Sequence, residues 1–201
     1  MTRIKICGLY LPEDICYVNQ IKPDWCGFIV NFPKSHRSLT PDQVRVLRQN
    51  LGSAVTPVGV FVDQPVDLAA ALLNDGTISI AQLHGHENQS YIEALRAAAP
   101  GYPVWKAFKI RSAGDLAAAN ASPADLVILD NGYGGGKSFD WSLASGVTRP
   151  YLLAGGLTPE NIPDAISQLH PYGLDLSSGV ETEKKKDISK IQAAVAAARK
   201  D

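Results

Sequence analysis

The sequence predicts an α/β fold, a (β/α)8 TIM barrel of parallel strands, and three observations predict it. Eight short apolar runs alternate with segments of helical periodicity along the 201-residue chain. The runs are rich in Val, Ile and Leu, as strands buried on both faces usually are. Eight such units in about 200 residues favour a closed barrel over an open doubly wound sheet. We expect residues 1–201 to form a single barrel domain.

The predicted strands cover residues 4–7, 26–30, 57–62, 80–84, 104–110, 126–130, 151–154 and 173–177. Helix start signals stand between them. Thr40 before Pro41 has the pattern of an N-cap with proline in the first turn, and Thr158 before Pro159 repeats it. A final helix follows Asp187. After the sixth predicted strand, residues 140–145 support little more than a turn or two of helix.

The composition excludes several classes of protein. The net charge is −1, with 19 basic and 20 acidic residues, so neither nucleic acid nor a membrane surface is an expected partner. The run Lys184–Lys185–Lys186 is typical of a solvated loop. No apolar stretch approaches the roughly 20 residues that span a bilayer, and we expect no signal peptide, because the chain goes directly into a predicted strand. Three cysteines without CxxC spacing indicate neither disulfides nor zinc, so we expect a cytoplasmic protein.

In barrels of this kind the active site lies where the strands end and the βα loops begin. Glycines follow the last two predicted strands, in AGGLTPEN at 154–161 and LSSGVE at 176–181. Bare backbone N–H groups at this position often bind a phosphate. The pattern therefore favours a small phosphorylated substrate held by Gly155, Gly156, Ser178 and Gly179. The alternative is that these glycines only make tight turns.

Cys7 and Asp130 end the first and sixth predicted strands. A thiolate can act as base or nucleophile, and a carboxylic acid can donate a proton. These strands are expected to lie across the barrel from each other, so the two side chains could flank a substrate. The alternatives are a cysteine buried as ordinary packing and an aspartate that caps the next turn.

Other strand ends carry weaker signals. Gln82 and His84 end the fourth predicted strand and are expected to face the substrate. His84 and His86 suggest a metal, but no carboxylate–histidine cluster accompanies them, so no metal site is predicted. Arg37, in NFPKSHR, could bind an anionic group in a bidentate way or be merely solvated. The stretch GYGGGK at 132–137 indicates a mobile loop and not a phosphate-binding motif.

Taken in order, the strand ends resemble one family, phosphoribosylanthranilate isomerase of tryptophan biosynthesis. The resemblance covers nearly the whole chain. The matching stretches are KICGL at 5–9, PKSHR at 33–37, QLHG at 82–85, ILD at 128–130, GGKSFDW at 135–141, AGGLTPEN at 154–161 and DLSSGVE at 175–181.

The resemblance implies an Amadori rearrangement without metal or organic cofactor. N-(5-phosphoribosyl)anthranilate would become 1-(2-carboxyphenylamino)-1-deoxyribulose 5-phosphate. Cys7 would be the general base at C2 of the ribose, and Asp130 the general acid at the ring oxygen. Arg37 would meet the anthranilate carboxylate, and the glycine loops would hold the phosphate. Gly8 would let the backbone turn away from the site.

The sequence departs from the usual family pattern at Tyr10, Tyr133 and Ala154, and it lacks the glycine common after VE. Two other functions stay open. One is a different sugar-phosphate isomerase or epimerase, including the aminoaldose isomerase of histidine biosynthesis, which would be expected to carry carboxylates at both acid and base positions. The other is a barrel that binds its ligand without catalysis. A monomer is the default expectation, and a dimer is the alternative.

Overall fold

In the computed structural model the chain forms eight parallel strands that close into a barrel, and the structure describes residues 1–130, 144 and 146–200. Strand β1 (Arg3–Cys7) pairs with both β2 (Trp25–Val30) and β9 (Gly173–Leu176), which closes the sheet and confirms the predicted fold class. The barrel strands are β1 (Arg3–Cys7), β2 (Trp25–Val30), β4 (Thr56–Phe61), β5 (Ile80–Leu83), β6 (Val104–Lys109), β7 (Leu126–Asp130), β8 (Tyr151–Ala154) and β9 (Gly173–Leu176). The two-residue strand β3 (Ser38–Leu39) extends the sheet beside β2.

Helices cover the outside of the barrel. They are α1 (Pro12–Ile21), α2 (Pro41–Gln49), α3 (Val66–Asn74), α4 (Gln89–Ala98), α5 (Ala113–Ala121), α6 (Ile162–Leu169) and α7 (Ile188–Ala198). The predicted start of α2 is confirmed, because Thr40 Oγ1 accepts from Gln43 N and the Gln43 side chain accepts from Thr40 N. The start of α7 is also confirmed, since Asp187 Oδ1 accepts from Ser189 N.

Alternation along each strand divides the side chains between two layers. On β1, Ile4 and Ile6 join the apolar layer between strands and helices, whereas Lys5 and Cys7 face the barrel interior. The interior layer is mainly apolar and includes Trp25 and Trp105, whose rings meet edge to face with centroids 5.2 Å apart. Since both tryptophans stand near the amino-terminal ends of their strands, they fill the barrel at the end opposite the loops that carry the site.

The structure moves the carboxyl ends of four predicted strands and the start of one helix, and three strands begin one residue earlier than predicted, at Arg3, Trp25 and Thr56. Val62, His84, Ile110 and Ser177 lie beyond the sheet, because the chain leaves the ladder there to enter the βα loops. Helix α6 begins at Ile162 and not at Pro159. Thr158 N donates to Asn161 Oδ1 over 2.8 Å, and Thr158 O accepts from Asn161 N. The turn uses the backbone N–H and carbonyl of Thr158, so Thr158 does not cap a helix that begins at Pro159.

The prediction that all three lysines at 184–186 are solvated is wrong for Lys186. This segment is a hairpin of β10 (Glu181–Thr182) and β11 (Lys185–Lys186), turned by Glu183 and Lys184 at positive φ. The ammonium of Lys186 is buried, donating to Ser177 O and to the Glu181 carboxylate. A buried ammonium needs such partners, and the hairpin places Lys186 beside both of them.

Two predictions fall mostly or wholly outside the described residues: the loop at 132–137 and the short helix at 140–145. Within the described part of the chain, no helix is long and apolar enough to cross a membrane.

Candidate active site

A cavity of about 490 Å³ opens at the carboxyl ends of the strands, where the sequence places the site. All nine predicted site residues line it, although they come from six separate parts of the chain. They are Cys7, Arg37, Gln82, His84, Asp130, Gly155, Gly156, Ser178 and Gly179.

Cys7 is the last residue of β1, and its side chain faces the cavity from a largely buried position. Gly8 follows at φ +77°, which turns the chain so that the N–H groups of Gly8 and Leu9 both donate to Gly27 O. A side chain at Gly8 would also collide with Arg37 Cδ, 2.5 Å away. Burial raises the pKa of the Cys7 thiol, and the nearby Lys5 ammonium opposes that rise.

Asp130 ends β7 and lies 3.4 Å from His84, measured from Oδ2 to Nε2. The other ring nitrogen of His84 lies 3.5 Å from Gln82 Nε2. The fully buried Gln82 Oε1 has no hydrogen-bond partner among the described residues. Since a buried amide oxygen without a partner is costly, a donor on a ligand would be favourable at this point.

The expected placement of Asp130 opposite Cys7 needs correction. The strand directly across the closed sheet from β1 is β6, and β7 lies three strands from β1 along the shorter arc. The barrel strands pair in chain order, so in a closed sheet of eight the strand opposite the first is the fifth, and Asp130 ends the sixth. Both side chains still line the same cavity.

Arg37 is held in place and is not merely solvated. Its Nε and Nη2 donate to the two oxygens of Glu181 over 2.6 and 2.5 Å. Lys186 Nζ donates to the same carboxylate over 2.7 Å. These two cations keep the pKa of the Glu181 carboxyl below its usual range, even though burial acts in the opposite direction.

The two glycine loops pack directly against each other. Gly155 and Gly156 turn the chain after β8 at φ +88° and +68°. After β9, Gly179 comes so close to Leu157 O that an added Cβ would lie 1.8 Å from that oxygen. Asn161 steadies the first loop, because its Nδ2 donates to Gly156 O. Gly155, Gly156 and Gly179 line the cavity and carry no side chains of their own, which suits an anion site formed by backbone N–H groups.

His86 belongs to a different environment from His84. Its exposed ring contacts Asp63, with Nδ1 and Oδ2 2.9 Å apart. The two histidines therefore have separate partners.

Sequence reasoning missed Lys5, Asp175, Glu181 and Lys186. Lys5 and Asp175 form a buried pair at 2.9 and 3.0 Å between directly paired positions of β1 and β9. One signal was available for this pair, since each is the single charge inside its predicted strand, 4–7 for Lys5 and 173–177 for Asp175. Nothing in the sequence pattern pointed to Glu181 as the partner of Arg37, or to Lys186 as a second donor to the same carboxylate.

The fold and the cavity together define a (β/α)8-barrel enzyme with its site at the carboxyl ends of the strands. Comparison with known proteins identifies the family. The family model described as N-(5'phosphoribosyl)anthranilate (PRA) isomerase matches residues 4–197. An N-(5'-phosphoribosyl)anthranilate isomerase from Endomicrobium trichonymphae is 41% identical over 196 residues, which cover 95% of each chain.

Two solved structures of phosphoribosylanthranilate isomerases are also similar to this chain. One is a phosphoribosyl anthranilate isomerase in complex with reduced 1-(o-carboxyphenylamino)-1-deoxyribulose 5-phosphate, 32% identical, with a TM-score of 0.85 over 99% of both chains. Another is a monomeric form of the dimeric enzyme from Thermotoga maritima, 32% identical, with a TM-score of 0.84 over 99% of both chains. The chain belongs to the N-(5'-phosphoribosyl)anthranilate isomerase family and is an isomerase.

Proposed function

We propose that the protein converts N-(5'-phosphoribosyl)anthranilate to 1-(2-carboxyphenylamino)-1-deoxyribulose 5-phosphate, a step of tryptophan biosynthesis. One observation carries the proposal: a single cavity brings a thiol, a carboxyl group, an arginine and two glycine loops to the end of the barrel where catalysis occurs in this fold. The family membership and the ligand in the related complex support the same substrate.

The proposed reaction needs one proton added and one removed. Asp130 donates a proton to the ribose ring oxygen, which breaks the bond from C1 to that oxygen and leaves a protonated Schiff base. Cys7 as thiolate removes the proton from C2, and the electron pair of that bond neutralises the Schiff base to an enolamine. The enolamine then tautomerises to the ketone. No net oxidant or reductant is required, because C1 is reduced as C2 is oxidised.

The remaining cavity residues bind and orient. The backbone of Gly155, Gly156, Ser178 and Gly179 holds the phosphate. Arg37 faces the anthranilate carboxylate, for which its remaining N–H donors are available. Gln82 Oε1 accepts from a substrate hydroxyl or amine, and His84 sits beside the acid. Together these binding groups keep C2 and the ring oxygen of the substrate near Cys7 and Asp130.

A fluorescence assay with purified protein tests the reaction. The substrate is generated from anthranilate and phosphoribosyl pyrophosphate by the upstream transferase, and its loss is followed after the protein is added. We expect loss that depends on protein concentration, with the aminoaldose substrate of histidine biosynthesis turned over far more slowly. Equal rates on both substrates, or no loss of fluorescence with folded protein, would contradict the proposal.

We also propose that the chain acts as a monomer in the cytoplasm. All nine predicted site residues lie within one chain, so the cavity needs no residue from a second copy. The three cysteines are all free thiols, as expected in a reducing compartment. Light scattering should give a mass near 21.5 kDa, and twice that mass would show a dimer like the one reported for the Thermotoga maritima relative.

A further inference from the structure

A buried ionic pair lies beneath Cys7, and the binding and proton-transfer roles proposed above do not include it, although Asp175 also lines the cavity. Lys5 is fully buried, and its ammonium donates to both oxygens of Asp175. Replacing such a pair by apolar residues of similar size is often neutral or stabilising. Stability alone therefore does not explain why two charges stand at this point in the barrel.

The ammonium of Lys5 lies close to the thiol. Lys5 and Cys7 are two residues apart on β1 and share its inward face. Both approach Gly27 of β2: an added Cβ there would lie 2.8 Å from Cys7 Sγ and 3.1 Å from Lys5 Nζ, so the two atoms are at most 5.9 Å apart. A positive charge within about 6 Å favours the ionised form of an acid.

The charged groups that act directly on the Cys7 thiol are mostly cations. Among the described residues they are Lys5, Lys186 and Arg37, against one carboxylate, Asp175. Farther out, Glu181 pairs with Arg37 and Lys186, Asp14 acts on Lys186, and Tyr10 acts on Arg37. The Cys26 thiol on β2 is a further titratable neighbour, and burial raises its pKa to about 12, so it is neutral near pH 7. The three cations favour the Cys7 thiolate, whereas burial and Asp175 oppose it.

We propose that Lys5 is a positioning residue that stabilises the Cys7 thiolate, and that Asp175 fixes the Lys5 ammonium beside it. The role of that thiolate as a base rests on the proposed function, whereas its stabilisation by Lys5 does not. Lys5 favours the ionised thiol and Asp175 disfavours it, which agrees in sign with their effects on the pKa of Cys7. Removing one or the other should therefore shift the ionisation of the thiol in opposite directions.

The test measures how fast iodoacetamide alkylates Cys7 as a function of pH, without substrate. A Cys16→Ser background removes the exposed thiol, and Cys26 is fully buried. Only the thiolate reacts, so the pH midpoint of the rate reports the ionisation of Cys7. We expect Lys5→Met to raise the midpoint by at least one pH unit, which slows alkylation about tenfold below it. We expect Asp175→Asn to lower the midpoint.

Lys106→Met is the matched control, because it removes another barrel lysine, paired with Glu87, that does not face the thiol. It should leave the midpoint unchanged. An unchanged midpoint in Lys5→Met, or shifts of the same sign in Lys5→Met and Asp175→Asn, would overturn the proposal. If Lys5→Met does not fold, Asp175→Asn decides alone: a lower midpoint supports the proposal and any other result overturns it. Full turnover by Cys7→Ala would contradict the role of Cys7 as general base. It would not affect the conclusion that Lys5 stabilises the Cys7 thiolate.

Discussion

The Arg37 guanidinium donates two parallel hydrogen bonds to the Glu181 carboxylate, from Nε over 2.6 Å and from Nη2 over 2.5 Å. The two residues are 144 positions apart in the sequence. Glu181 opens the β10–β11 hairpin and also accepts from Lys186 of the same hairpin. The hairpin therefore sets where Arg37 stands beside the cavity.

Glu181→Gln should weaken substrate binding more than it slows the chemical step. It removes the charge that orients Arg37 and leaves the buried Lys186 ammonium without its counter-ion. We expect KM to rise about tenfold or more, equivalent to about 1.4 kcal/mol, with a smaller change in kcat. Steady-state kinetics check this. In the control Asp42→Asn, a largely exposed partner of Arg45 is lost, and KM should not change.

The difference in unfolding free energy between wild type and Glu181→Gln should depend on pH. The pKa of Glu181 is lower in the folded protein than in the unfolded chain, so its stabilising effect is fully present above about pH 4.3. It is lost as the pH falls through the folded pKa. Urea unfolding should show wild type more stable than Glu181→Gln by about 3 kcal/mol at pH 7, with the difference shrinking below pH 4. A difference that stays constant with pH would contradict this.

Cys7→Asp should move the rising limb of the pH profile. Burial raises the pKa of the Cys7 thiol, so the ionised base accumulates only as the pH increases, and kcat/KM of wild type should rise through neutral into alkaline pH. An aspartate ionises near pH 4. We expect kcat/KM of the variant to be lower overall, with its rising limb shifted down by more than about two pH units. Identical limbs would mean that another group is the base.

Gly179→Ala should damage the phosphate site specifically. The new Cβ would lie 1.8 Å from Leu157 O, a backbone atom, so one of the two glycine loops has to move. We expect inorganic phosphate to lose its competitive inhibition and KM to rise about tenfold, while the barrel stays folded. The matched control is Gly114→Ala in the first turn of α5, where the nearest atom would be 3.6 Å away. It should keep KM unchanged and leave the barrel folded.

The sequence predicts the barrel well because its signals are local. Alternating apolar residues, the Thr40 cap and the Asp187 cap each depend on neighbours within a few positions. The start of α6 was misplaced because Asn161 closes a turn with Thr158, and this competes with the same cap pattern. The hairpin at 181–186 was missed since its turn residues, Glu183 and Lys184, are not those that usually adopt positive φ.

The candidate site was predictable as a set of strand ends, because parallel strands bring their carboxyl ends to one face of the barrel. The contacts that hold those residues in place were not predictable from the sequence. The partners of Arg37 and Lys5 lie more than 140 positions away, in Glu181 and Asp175. Only the register of the closed sheet and the fold of the hairpin bring them together.

The measurement that most directly tests the proposed mechanism is the turnover rate of Cys7→Ala and Asp130→Asn with N-(5'-phosphoribosyl)anthranilate. Each removes one proton-transfer group from the cavity. We expect kcat to fall by about 10²–10⁴-fold in each variant, with the fold intact by circular dichroism and the affinity for the reduced product analogue largely retained. A rate near that of wild type in either variant would contradict the assignment of base and acid.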